Sequence, residues 1–118
     1  MPPSPGIHER SSRFFNDVIL FIQTISPAPG TLDTIEQLVS SAGSTPANRA
    51  EAREASCRKE FIRFNKLALR GARESLVWLT GCESGRWGDA FRRKHLLDEA
   101  DQLVRILTAI VVKSKGND

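Results

Sequence analysis

The 118-residue chain is poor in metal and redox ligands: two cysteines, two histidines and a single methionine. Cys57 and Cys82 fall at the two ends of one expected helix, which holds them roughly 37 Å apart, beyond disulfide reach within the chain. No CxxC, HxxxH or ExxH spacing occurs around these residues or around His8 and His95, so no zinc or di-iron site and no cofactor is expected. Gly-rich phosphate loops and nucleophile elbows are also missing. The apolar stretch that begins at Val18 is broken by Pro27, Pro29 and Gly30, too early to cross a membrane. The opening MPPSPGIHERSS has neither an apolar core nor a cleavage site, which speaks against a secretory signal. The expectation is a cytoplasmic protein of one compact domain, large enough to fold without a metal or disulfide.

What is present is helical periodicity. Residues 1–12, rich in Pro and Ser, read as a flexible tail, followed by one domain over 13–118. Phe14, Phe15, Val18, Ile19, Ile22 and Ile25 recur at three- and four-residue steps, with Ser11 or Ser12 as N-cap. A second helix starts near Thr31, with Leu32, Ile35, Leu38, Val39 and Ala42 as its stripe. Gly43 and Pro46 are expected to kink or break it near residues 43–46. The third and longest runs over 58–82, with Phe61, Phe64, Leu67, Ala68, Ala72, Leu76 and Leu79 on one face. After a turn at 84–88, Asp89 is an N-cap candidate for a fourth helix carrying Leu96, Ala100, Leu103, Leu107 and Val111. No segment alternates with period two. The fold class is therefore all-α, an antiparallel up-and-down four-helix bundle.

The apolar stripes are wide. Ile62, Leu69 and Trp78 broaden the third helix, and Ile106, Ala109 and Val112 the fourth. These residues either fill the flanks of one core or form a second face that joins subunits. Trp87, between Gly85 and Gly88, is expected to fold back over the end of the bundle.

Charge is distributed unevenly. Residues 49–94 hold twelve Lys/Arg and six Asp/Glu, and the remainder five and eight. Within that basic half Lys59, Arg63, Lys66, Arg70 and Arg73 step by four, three, four and three, so all five lie on one stripe of the third helix. Such a stripe can follow a phosphate backbone and is the candidate nucleic-acid-binding set. The alternative is a solvated helix face, offset by Glu60 and Glu74 and without interleaved aromatics for base stacking. Arg92, Arg93 and Lys94 open the fourth helix, where positive charge opposes the helix dipole, and make a weaker candidate for a partner contact. Asn48 and Glu51 share a face next to Pro46. They are read first as caps for backbone groups freed by Pro46 and Gly43, and otherwise as a ligand or partner site. Glu51 and Glu74 are a carboxylate pair in principle suited to acid–base work, but with no His, metal or phosphate loop beside them no enzyme is expected.

Residues 37–79 carry a pattern in Gln37-Leu38, Ser41, Ser44, Pro46-Ala47-Asn48, Ala50-Glu51, Lys59-Glu60-Phe61-Ile62, Leu67-Ala68-Leu69, Ala72, Glu74-Ser75 and Trp78-Leu79. With the closing stretch 103–115, this resembles the four-helix-bundle proteins encoded by intervening sequences of bacterial 23S ribosomal RNA genes. Arg49 and Thr45 depart from the pattern, which usually has apolar residues there. The resemblance implies an antiparallel bundle assembled into a homopentameric barrel and does not imply an enzyme; most such proteins have no known function. A similar bundle is the accessory protein of diversity-generating retroelements, a basic pentamer that associates with a reverse transcriptase and nucleic acid. By that analogy the expected partners are further copies of the chain and nucleic acid or a nucleoprotein. A homopentameric protein-interaction scaffold is the alternative. A third reading, a small-molecule role, would require an enclosed pocket containing Asn48, Glu51 or Glu74.

Overall fold

The computed structural model describes residues 6–116. Four helices account for nearly all of it: α1 (Ile7–Ile22), α2 (Thr31–Arg53), α3 (Arg58–Gly85) and α4 (Ala90–Lys115). Each packs on its neighbours in a closed cycle, α1 on α2, α2 on α3, α3 on α4 and α4 on α1. Short connections between sequential neighbours make the bundle antiparallel, as the periodicity predicts.

The core is assembled from one face of each helix. Phe14, Val18 and Phe21 of α1 meet Leu38 and Ala42 of α2, Ala68, Ala72 and Leu79 of α3, and Leu96, Leu103 and Leu107 of α4. Their steps of three and four residues keep each set on one side of its helix. Trp87 lies over the end of the core as expected. Its ring crosses Gly85, where a Cβ would come within 2.7 Å of it, and approaches Gly30. Asp89 caps α4, its side chain accepting from the Arg92 N–H at 2.8 Å.

Several expectations need correction. The first helix begins at Ile7 rather than residue 13, with Gly6 as N-cap, so residues 7–12 are not a tail. Residues 1–5 lie outside the described part. Tertiary contacts override the local composition: Ile7 packs on the core, Ser11 is fully buried with its hydroxyl donating to the His8 carbonyl, and Arg10 pairs with Glu99 of α4. Helix α2 does not break at 43–46. It runs through Gly43 and Pro46 as one element, although Pro46 has no N–H to offer the Ala42 carbonyl. The segment is pinned from both sides, by the Phe15 ring against Gly43 and by Thr45 donating to the Ala68 carbonyl at 3.1 Å.

The buried face of α3 is also rotated from the expected one. Asn65, Gly71, Ser75 and Cys82 are buried, whereas Phe61, Phe64 and Leu67 are only half-buried at its edge. Small polar residues line the α2–α3 seam because the two backbones approach closely there. A Cβ on Gly71 would sit 2.8 Å from the Ser41 carbonyl oxygen. On α2, Leu32 is exposed rather than part of the stripe.

Candidate nucleic-acid interface

Lys59, Arg63, Lys66, Arg70 and Arg73 are all exposed, on the side of α3 turned away from buried Ala68, Ala72, Ser75 and Leu79. From Lys59 to Arg73 the stripe is about 21 Å long at the helical rise. Among the described ion pairs one carboxylate reaches it, Glu74, which accepts from Arg70 Nε at 2.9 Å in an exposed i,i+4 pair. Glu60, beside the stripe, is bonded to Ser56 instead. Its carboxylate accepts from the backbone N–H and hydroxyl of Ser56, and those bonds hold its pKa below the ordinary glutamate value, with Arg63 adding a smaller pull. The stripe is therefore less neutralised than the sequence alone implies.

Two features of this face come from packing between neighbouring side chains and helices. The Arg63 guanidinium lies over the Phe64 ring, 4.2 Å from its centroid, so an aromatic does support the stripe. The second is Lys115 at the end of α4, whose ammonium is held below the ordinary lysine pKa by that of Lys66 beside it. Antiparallel packing of α3 and α4 brings the last turn of one next to the first turns of the other, and with it a cation added to the stripe. That juxtaposition was legible in principle from the helix order. Arg58 also reaches across, donating from Nε to the Ser114 carbonyl at 2.8 Å.

The remaining candidates separate. Arg93 is buried and structural: it pairs with Glu83 at 2.5 Å and donates to the carbonyls of Trp87 and Gly88, closing the α3–α4 turn. Arg92 and Lys94 are exposed. Asn48 donates to both the carbonyl and the hydroxyl of Ser44, at 2.9 and 3.1 Å, and so caps a group other than the Ala42 carbonyl. Glu51 is exposed, and its carboxylate bonds to nothing among the described residues. Glu74 lines an open pocket of about 170 Å³ with Ser44, and Glu51 lies outside that lining. The three polar residues thus form no common enclosed site. Among the described residues, no group of three or more His, Cys, Asp or Glu could hold a metal ion, and no helix is long and apolar enough to cross a membrane.

Arg49 is buried beneath this polar stretch. It donates to Asn65 Oδ1 at 2.6 Å, while its Nε finds no partner. Burial pushes its pKa down, and Arg53 adds to the effect. Asn65 in turn donates to the Phe61 carbonyl, so the buried cation is held by an amide rather than by an acid.

The apolar flanks divide as well. Leu69 is buried, and Trp78, Val104 and Ile110 pack against the chain's own core. Val77, Val112 and Phe91 stay outside it, Phe91 84% exposed at the mouth of a groove of about 480 Å³ between α1 and α4.

No family model matches the chain, and neither does any curated protein. Among solved structures it is similar to a protein of unknown function from the S23 ribosomal protein family of Bacteroides thetaiotaomicron, with a TM-score of 0.81 at 20% identity. The match covers 90% of this chain and 98% of the other. At that identity the likeness is one of fold.

Proposed function

We propose that the protein is a non-enzymatic bundle that binds nucleic acid, alone or in a nucleoprotein, by neutralising phosphates with Lys59, Arg63, Lys66, Arg70 and Arg73. The carrying observation is the exposure of all five cations on one face with a single carboxylate paired among them. Contacts of this kind position a backbone without reading its sequence.

The same reading makes the chain a homo-oligomer in the cytoplasm, with the pentamer implied by the sequence resemblance. Phe91, almost wholly exposed beside an open groove, is the residue that favours burial in another subunit. Several stripes in one assembly would bind one strand with avidity. Should the assembly form without any affinity for nucleic acid, the scaffold reading takes its place.

The test replaces Arg63, Lys66 and Arg70 together by Glu. All three side chains are exposed, so helix content and assembly mass should remain unchanged while binding to labelled RNA or DNA disappears. Binding retained by that variant would sink the mechanism.

A further inference from the structure

An open groove of about 470 Å³ runs between α3 and α4. Its cationic edge is Lys66, Arg70 and Arg73, three members of the stripe, and its floor is Leu69, Val111 and Val112. Val112 is 61% exposed on this floor, and Val77 at 62% continues the stripe beyond Arg73. The polar groups that remain in the lining are already engaged. Thr108 donates to the Val104 carbonyl at 2.7 Å, and Glu74 is paired with Arg70. The floor therefore offers dispersion and burial of apolar surface, and the edge offers charge.

These two chemistries are needed together by only one form of nucleic acid. A duplex turns its phosphates outward and keeps its bases stacked inside, so a phosphate-binding edge would engage it while the apolar floor stayed wet. A single strand carries phosphates and uncovered base faces side by side. Its bases gain by leaving water for an apolar surface or a stacked guanidinium, and Arg63, laid over Phe64, is such a surface one turn from Lys66. Lys66 and Lys115 add a reason for an anion to settle at this end, since the two like charges sit side by side.

We infer that the α3–α4 groove seats an unpaired base of single-stranded nucleic acid on Leu69 and Val112, with the flanking phosphates on Lys66, Arg70 and Arg73. This rests on the phosphate-binding reading and adds to it a preference for single strands over duplexes.

The experiment compares three fluorescein-labelled probes of equal phosphate number on the full chain by anisotropy at fixed salt: oligo-dT, a blunt DNA duplex and an abasic deoxyribose-phosphate strand. Oligo-dT is expected to bind about tenfold tighter than either of the others, the order of gain from withdrawing one base face and its aliphatic seat from water. Val112→Asn, a change at an exposed position, should remove about fivefold of the oligo-dT affinity and leave duplex binding unchanged. Val112→Phe should strengthen oligo-dT binding. Equal affinity for oligo-dT and the abasic strand overturns the inference while leaving phosphate binding intact. Absence of binding to all three probes overturns both. A fall in assembly mass for Val112→Asn with oligo-dT binding unchanged would assign the groove to a second copy of the chain and overturn the inference.

Discussion

The hydroxyls of Ser41 on α2 and Ser75 on α3 meet at 3.1 Å inside the bundle, and each also lies within hydrogen-bond reach of a carbonyl of its own helix, Leu38 at 3.2 Å and Gly71 at 2.8 Å. A hydroxyl has one proton, so the pair shares its donors between the helix ladders and the contact across the seam. The approach that allows this contact depends on Gly71, which has no Cβ to press on the Ser41 carbonyl.

Gly71→Ala should accordingly destabilise the fold by about 1–2 kcal/mol, overpacking outweighing the roughly 1 kcal/mol that Ala gains over Gly within a helix. Gly81, in the same helix, has open space where a Cβ would go. Gly81→Ala should therefore stabilise by about 0.5–1 kcal/mol. Urea denaturation of the two variants gives opposite shifts of the midpoint if the seam is packed as described, and shifts of one sign if it is not.

Arg93 holds the α3–α4 turn through Glu83 and two backbone carbonyls. Arg93→Ala leaves those carbonyls without their donor in a half-buried turn and should cost about 2–3 kcal/mol. The cost should far exceed that of Arg92→Ala or Lys94→Ala, whose side chains are exposed. Comparable losses in all three variants would remove Arg93's structural role.

Stability should also depend on His8. Burial lowers its pKa below 6.5, Arg53 and Arg49 lower it further, and Glu9 opposes them weakly. The folded chain thus resists protonation that the unfolded chain accepts below about pH 6.5. The unfolded state then binds more protons, and stability falls as pH drops through that range. His8→Gln should flatten the stability profile between about pH 7.5 and 5.5. A profile of unchanged slope in that variant would assign the dependence to other groups.

The four helices and most of the core were legible in the sequence because apolar residues recur at steps of three and four, most clearly in α1 and α3. Local chemistry misled at two places. Residues 7–12 read as tail from their polar composition, yet the Arg10–Glu99 pair and the buried Ser11 belong to a helix that only α4 and the core make stable. Gly43 and Pro46 read as a kink or a break, and the α2–α3 seam holds the helix through them as one element. Periodicity also assigned Phe61, Phe64 and Leu67 to the core of α3. The seam chose small and polar residues instead, since close backbone approach selects size over hydrophobicity. The basic stripe was fully visible in residue spacing. Its surroundings were not, because Lys115, the Phe64 ring beneath Arg63 and the groove floor depend on packing between helices.

The phosphate-binding stripe is tested most directly by the salt dependence of affinity. Single-stranded RNA titrated against the purified protein at a series of salt concentrations gives log K against log salt as a straight line. With five phosphates neutralised per bundle its slope should be about −3.5. The Arg63, Lys66 and Arg70 reversal should take the slope close to zero along with the affinity. Binding whose strength does not change with salt, or no binding at the lowest salt, would contradict the stripe's role and leave it a solvated face of α3.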